Sequence, residues 1–298
     1  MIKRTIYIGS DRHLRTENEQ LILIDKNEGI TDSVPIEDIG YLILDSFNTS
    51  ITSRAMQKLI ENDCVLLLCS SNHLPVAMML SLDGHYSQTQ RLIAQTELGQ
   101  PARKQLWKQI VVAKIKNQFN LLEKYAYDNR ELKSAFEKVQ SGDTTNREGY
   151  AARIYWKRIF GNETFRRDRE GDIPNPFLNY GYAILRAVVA RSLVSAGLNP
   201  SLGLFHKNKY NAYFLADDLM EPYRPFIDEI VRSIFLSSEF SGEMIMSKEI
   251  KKLLLDIPNI DVRLDGKNHV LQIAVQTTCN SLASYYMGEK IKLKLPEL

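Results

Sequence analysis

The sequence predicts an α+β chain, with a small β-rich N-terminal domain followed by a larger all-α domain. Three observations lead there. Over roughly the first 80 residues, β-branched and other apolar residues come in short runs separated by turn signals. From Thr89 onward the apolar residues recur at helical spacing instead. Between the two lies "DGHYSQ", which fits neither pattern. The expected bounds are a β-rich domain over 1–82, a linker over 83–88 and a helical domain over 89–298.

Taken in order, "RTIYIG", "EQLILID", "IGYLILD", "CVLLLCS" and "PVAMMLSL" read as strands, divided by turns such as "DKNEG" and "SFNTS". Between the third and fourth, "TSRAMQKLIEND" carries helical spacing at Ala55, Met56, Leu59 and Ile60, with Thr52 or Ser53 placed to cap it. Pro101 suits a helix start, and "ARKQLWKQIVVAKIKNQFNLLEKYAY" keeps its apolar spacing for about seven turns. Further helices are expected over 146–160, over 176–196 with Gly197 as the stop, from 212 past Pro222, over 247–255 and over 270–287. Helical spacing marks Tyr155, Trp156, Tyr180 and Tyr182 as core residues. The tail "KIKLKLPEL" alternates Lys with Ile and Leu, a pattern suited to a strand added to a partner's sheet edge.

Of the 298 residues 44% are hydrophobic and 25% charged, a globular composition that excludes disorder and fibrous repeats. No apolar run approaches the roughly 20 residues that cross a bilayer, and "MIKRTIYIGSDRH" has no secretory-type apolar segment, so a cytoplasmic protein is expected. Cys64, Cys69 and Cys279 follow no zinc spacing and read as reduced core residues. The net charge of +2 is unevenly placed: residues 101–170 hold 16 Lys and Arg against 9 Asp and Glu. Within them, "RIYWKRIFGNETFRRDRE" interleaves Arg153, Lys157, Arg158, Arg166, Arg167 and Arg169 with aromatic residues. Such a run suits a nucleic-acid backbone, and it equally suits a solvated helix face.

Two stretches carry candidate chemistry. In "LGLFHKNKYNAYFLADDLMEP", Asp218 and Glu221 stand three apart, on one face if the segment is helical, while Asp217 points elsewhere. Paired carboxylates repel unless a cation or proton separates them, so the pair is either a solvated surface feature or a site. His206 would add an imidazole to hard oxygen ligands, a set that tolerates Mg²⁺ and favours Mn²⁺ somewhat more. In "TTNREGYAARIYW", Thr145 and Glu148 match a capping box, in which the Glu returns to the cap's N–H. Spacing alone does not join Glu148 to His206.

The combination of "NREGYAARIYW", "NPFLNYGYAILRAVVARSLVSAGLNPSLGLFHKN" and "FLADDLMEPYRP" resembles the CRISPR-associated integrase, the larger of the two universal proteins of spacer acquisition. "VPIEDIGYLILDS" and "ENDCVLLLCSSNHLPVAMML" resemble its compact form, found with a single RNA-guided effector nuclease. The resemblance covers nearly the whole chain. It implies a metal site of Glu148, His206 and Glu221 holding Mg²⁺ or Mn²⁺, with Glu221 where many relatives have Asp, and Asp218 close by as a residue orienting a ligand or water. It implies a catalytic, DNA-binding helical domain and a homodimer made through the N-terminal domains. The implied partners are DNA, as spacer precursor and CRISPR repeat, and a small ferredoxin-like adaptation protein. Whether the effector nuclease and an accessory adaptation protein join them is left open. The implied reaction is insertion of short DNA fragments by 3′-OH transesterification; hydrolysis of branched DNA by the same metal, or a non-catalytic DNA scaffold, are the alternatives. Arg147, Arg153, Lys157, Arg158, Arg166, Arg167, Lys207 and Arg224 are the candidates for holding phosphates.

Overall fold

A computed structural model describes residues 2–25, 29–82, 84–162, 164–205, 211–237 and 246–298. It separates into two compact units, Met1–Tyr86 and Ser87–Leu298. The first is β-rich and the second helical, the α+β order the sequence predicts.

The first unit holds two four-stranded sheets. One runs β1 (Arg4–Ile8), β5 (Ile39–Leu44), β7 (Val65–Cys69), β8 (Pro75–Met79), with β1, β5 and β7 parallel and β8 antiparallel. The other runs β4 (Gly29–Pro35), β3 (Gln20–Asp25), β2 (Arg12–Glu17), β6 (Ser50–Ile51). Every residue of β5 is buried, as its unbroken apolar run requires of a strand with neighbours on both sides. Helix α1 (Ser53–Glu61) is capped by Thr52, whose Oγ1 accepts from the Ala55 N–H at 3.2 Å. Its Ala55 and Leu59 join Leu14, Leu21, Ile39, Leu42 and Leu66 in one core.

Strands β2, β4 and β6 have no counterpart in the sequence reading. β2 buries only Leu14, so its sequence "RHLRTE" shows no alternation. Its hairpin to β3 turns at Asn18 and Glu19, both at positive φ, without the glycine that would announce it.

In the helical unit, α2 (Gln88–Glu97), α3 (Gln100–Lys124), α4 (Arg130–Glu137) and α5 (Arg147–Ile159) lead to α6 (Asn175–Ser195), which is buried on most of its surface. Around α6 pack α7 (Phe214–Met220), α8 (Arg224–Leu236), α9 (Lys248–Leu255) and α10 (Leu271–Tyr286). Gly181 permits the approach of α8, since a Cβ there would meet Ile227 Cγ2 at 2.6 Å. Pro222 converts the path from α7 to α8 into a 3₁₀ turn, Glu221–Tyr223, where one continuing helix is expected from sequence. The unit is not purely helical. It carries a hairpin of β9 (Asp261–Leu264) and β10 (Lys267–Val270), turned at Asp265-Gly266 with both φ positive.

Tyr155, Tyr180 and Tyr182 are buried as expected, and Trp156 is partly buried against Phe160 and Phe165. Tyr155 and Tyr182 donate their hydroxyls to Asp228 of α8, tying α5, α6 and α8 together. Cys64 and Cys279 are buried thiols and Cys69 is half-buried, so the core reading holds fully for two of the three. The expectation for the tail is corrected, because it lies against its own chain. The Asn117 amide, 1% exposed, donates to the Pro296 carbonyl at 3.0 Å and accepts from the Leu298 N–H at 3.1 Å. Gln109 accepts from the Leu293 N–H, and Thr278 donates to the Lys294 carbonyl. Backbone groups that a partner's edge would need are taken up inside the unit. No described helix is long and apolar enough to cross a membrane.

Candidate functional site

The site forms where α3, α5 and the 3₁₀ turn meet. Lys114 lies midway along α3 and is 9% exposed, on a mostly apolar stripe that includes Trp107, Ile110, Val111, Leu121 and Leu122 and also buries Asn117 and Gln118. Its Nζ stands 2.6 Å from Glu148 Oε1 and 2.5 Å from Glu221 Oε2. Two carboxylates distant in sequence thus meet at one ammonium. Arg224, one turn beyond, contacts the other oxygen, Oε1, of Glu221 at 3.1 Å. Burial works against the Lys114 ammonium, but Glu221 and then Glu148 outweigh it, and its pKa stands above the ordinary lysine value. For Arg224, too, burial is the largest influence and lowers the pKa, while Glu221 leads the contacts that carry it above normal.

Glu148 is set in place by the start of α5. Asn146, at φ 49°, caps the helix by accepting from the Gly149 N–H at 3.1 Å. Asp143 accepts from the N–H groups of Arg147 and Glu148 at 2.8 and 3.0 Å. The capping box read at Thr145 and Glu148 does not form: Asn146 is the cap, the Glu148 N–H donates to Asp143, and the Glu148 carboxylate accepts from Lys114.

The three acids of the second stretch do different things. Asp217 takes Arg186 at 2.6 and 3.1 Å and the Asn211 amide at 2.7 Å. Asp218, fully buried, accepts at Oδ2 from the backbone N–H groups of Leu204 and Phe205 at 2.7 and 3.1 Å. Glu221 alone of the three reaches Lys114. Gly203 lets the loop close over α7, where a Cβ would meet Phe214 Cβ at 2.6 Å. Phe205 also stacks on Trp107, with centroids 4.6 Å apart and planes 3° from parallel. Asp218 therefore anchors the backbone immediately ahead of residue 206. His206 and Lys207 themselves lie outside the described residues, and among the described residues no three His, Cys, Asp or Glu side chains form a metal-holding group.

Asp218→Ala is expected to leave the Leu204 and Phe205 amides without their acceptor, costing about 1–3 kcal/mol. Amide hydrogen exchange checks this: faster exchange at those two positions is the expected result, and unchanged protection contradicts it.

Among the basic candidates, Arg153, Lys157 and Arg166 are exposed. Arg158 is engaged by Glu131 at 2.6 Å and by the Asp128 carbonyl at 2.8 Å. Arg167 is held by Asn175, Asn179 and the Asp168 carbonyl, and lies over the Tyr182 ring. Arg147 and Arg224 flank the two acids in sequence, and each has a buried Nε with no hydrogen-bond acceptor among the described residues. Lys114 and Asp143 are absent from the sequence reading. A lysine interrupting a buried apolar stripe is the signal that marks Lys114.

The chain is similar to known proteins over nearly its whole length. A family model described as "CRISPR associated protein Cas1" matches residues 6–257. The CRISPR-associated endonuclease Cas1 of Neisseria meningitidis serogroup C (strain 8013) is 33% identical over 301 residues, covering 100% of this chain and 97% of the relative. Among solved structures, a casposase bound to integration product superposes with TM-score 0.78 at 21% identity, covering 98% of this chain and 92% of that one. A Cas6-RT-Cas1–Cas2 complex gives TM-score 0.75 at 21% identity, over 96% of this chain and 35% of that one. At these identities the two structural matches speak to fold alone, whereas the family match and the relative span the sequence. The chain belongs to the CRISPR associated protein Cas1 family.

Proposed function

We propose that this chain is the DNA integrase of CRISPR adaptation, joining short DNA fragments to the CRISPR repeat by divalent-metal-dependent transesterification. The observation that carries the reading is the meeting of Glu148 and Glu221 at one cation, Lys114. Two carboxylates already gathered around a positive charge fit a divalent ion, and the Asp218 anchor fixes the approach to His206, the third implied ligand. Glu148, His206 and Glu221 would hold Mg²⁺ or Mn²⁺. Such an ion supplies Lewis acidity at a phosphate and lowers the pKa of an attacking hydroxyl.

The chain's own residues bind and orient the DNA. Arg153 and Lys157 stand one turn apart on the exposed face of α5, the helix that carries Glu148 at its start, and Arg166 follows. Their contacts go to phosphates, so binding weakens with salt and ignores sequence. Arg147 and Arg224 stand next to the acids, suited to phosphates nearest the reacting bond. In the reaction the fragment's 3′-hydroxyl gives up its proton as its oxygen bonds to phosphorus, the repeat's P–O3′ bond breaks, and the departing 3′ oxygen takes up a proton in turn, so protons balance. One phosphodiester replaces another, and no nucleotide cofactor is consumed. The structural relatives named as bound to integration product and as a complex with Cas2 support DNA and the small adaptation protein as partners. A homodimer through the β-rich unit, in the cytoplasm, completes the proposal.

A second reading, hydrolysis, has support in the name endonuclease carried by the Neisseria relative. The test is transfer of a labelled fragment into supercoiled plasmid, with the small partner, in Mg²⁺, Mn²⁺ or chelator. Joining is expected with either ion, none in chelator, and none when the fragment's 3′ end is blocked. Continued strand cleavage with the blocked fragment supports the hydrolase instead, and joining in chelator overturns the metal reading.

A further inference from the structure

We infer that Lys114 is an internal counter-ion of the metal site, holding Glu148 and Glu221 together in the metal-free chain and turned out toward bound phosphate when a divalent ion loads. This rests on the metal reading above and adds the regulation of that site. The ammonium contacts both acids at once, at 2.6 and 2.5 Å, from a position buried midway along α3. Two carboxylates this close repel when nothing lies between them, and Lys114 removes that repulsion before any metal arrives.

Charge bookkeeping at the site gives the consequence. Within the ion-paired set, Glu148 and Glu221 are matched by Lys114 and Arg224, so these four side chains together carry no formal charge. An ammonium seated between the two carboxylates competes with a divalent cation for them, since like charges about 4 Å apart in a partly buried site repel by several kcal/mol. Lysine is the side chain suited to yielding: a point charge on a flexible four-carbon stem with three rotatable donors. Once the ion has taken the acids, the cluster carries a surplus of two positive charges, with Lys114 among the cations available to the DNA backbone. Metal loading and DNA binding thereby reinforce each other.

A lysine whose ammonium stood clear of the acids would make little difference to metal affinity. As a competitor for the acids it lowers that affinity by the fraction of time it occupies them. Mn²⁺ titration by calorimetry on the full chain without DNA is therefore expected to give Lys114→Met an affinity about tenfold tighter than wild type, corresponding to occupancy of about nine-tenths. The metal-induced rise in Tm should be larger as well. Equal or weaker Mn²⁺ binding by Lys114→Met overturns the inference. Should that variant not fold, the wild-type chain labelled with ¹⁵N-lysine decides: the Lys114 ammonium resonance is expected to shift on saturation with Mg²⁺, and an unchanged resonance overturns the inference. Glu148→Gln separates the two levels. Binding that is lost in Glu148→Gln but unaltered in Lys114→Met leaves the metal reading standing and removes this one, whereas binding indifferent to Glu148→Gln removes both.

Discussion

Glu148→Gln is expected to lower strand transfer by about 10²–10³-fold, the scale of losing a group that stabilises charge at a reacting phosphate. The substitution keeps the shape of the side chain and leaves its backbone N–H bonded to Asp143, so α5 keeps its start. Lys114 retains Glu221 as a partner, and the loss of Tm should be small. Affinity for DNA should also persist, because the exposed cations Arg153, Lys157 and Arg166 are untouched. Activity, melting and salt-dependent DNA binding measured on one preparation separate these effects. Glu221→Gln should lose as much activity and more stability. Its carboxylate is 5% exposed and shared between Lys114 and Arg224, so removing its charge leaves two buried cations short of a partner. Strand transfer undiminished in both variants would favour the non-catalytic scaffold.

The second large effect concerns pH and centres on Asp228 of α8. Burial pushes the Asp228 carboxyl up to about 6 from 3.8, against the opposing pull of Tyr182, Tyr155, Arg224 and Arg167. An acid whose pKa rises on folding holds its proton more tightly in the folded chain. Its contribution to stability is therefore complete below the unfolded value of 3.8 and is lost as pH rises through about 6. Asp228→Asn keeps the size of the side chain and hydrogen-bonding groups for the two tyrosines but cannot ionise. Relative to this variant, the wild type is expected to lose about 3 kcal/mol between about pH 4 and pH 8. Urea unfolding across that range, followed by a probe in the helical unit, checks it. Parallel pH curves for the two proteins would show that Asp228 keeps its ordinary acidity.

What could be read from residues alone depended on how local the cause was. Thr52 and Ser247 are caps because their side chains accept from an N–H three residues on, at 3.2 and 3.3 Å, and that geometry needs no distant partner. The length of α3 followed from its apolar spacing and from Pro101 near its start. By contrast β2, β4 and the β9–β10 hairpin are held by cross-strand bonds to neighbours, and short strands that bury few side chains have weak patterns of their own. The tail misled for a related reason: its alternation is real, but the groups that receive it, Asn117, Gln109 and Thr278, lie far back in the chain.

The acids show the same division within a few residues. Spacing placed Asp218 and Glu221 on one face, yet Asp218 turns to the Leu204 and Phe205 amides while Glu221 turns to Lys114. Which partner each takes is set by what surrounding helices present, and that depends on packing around α6.

The amino-acid sequence by itself determined the α+β order, the approximate course of α1, α3, α5, α6, α9 and α10 and, through its resemblance to one family, the choice of Glu148 and Glu221 as candidate acids. Only the tertiary structure decided that Glu148 and Glu221 meet at Lys114, and that Asp218 braces the chain ahead of residue 206. Local patterns follow from bonds between near neighbours along the backbone. The meeting of α3, α5 and the 3₁₀ turn is a long-range consequence of burying helix faces together, and its trace within α3 is a lysine buried on a mostly apolar stripe.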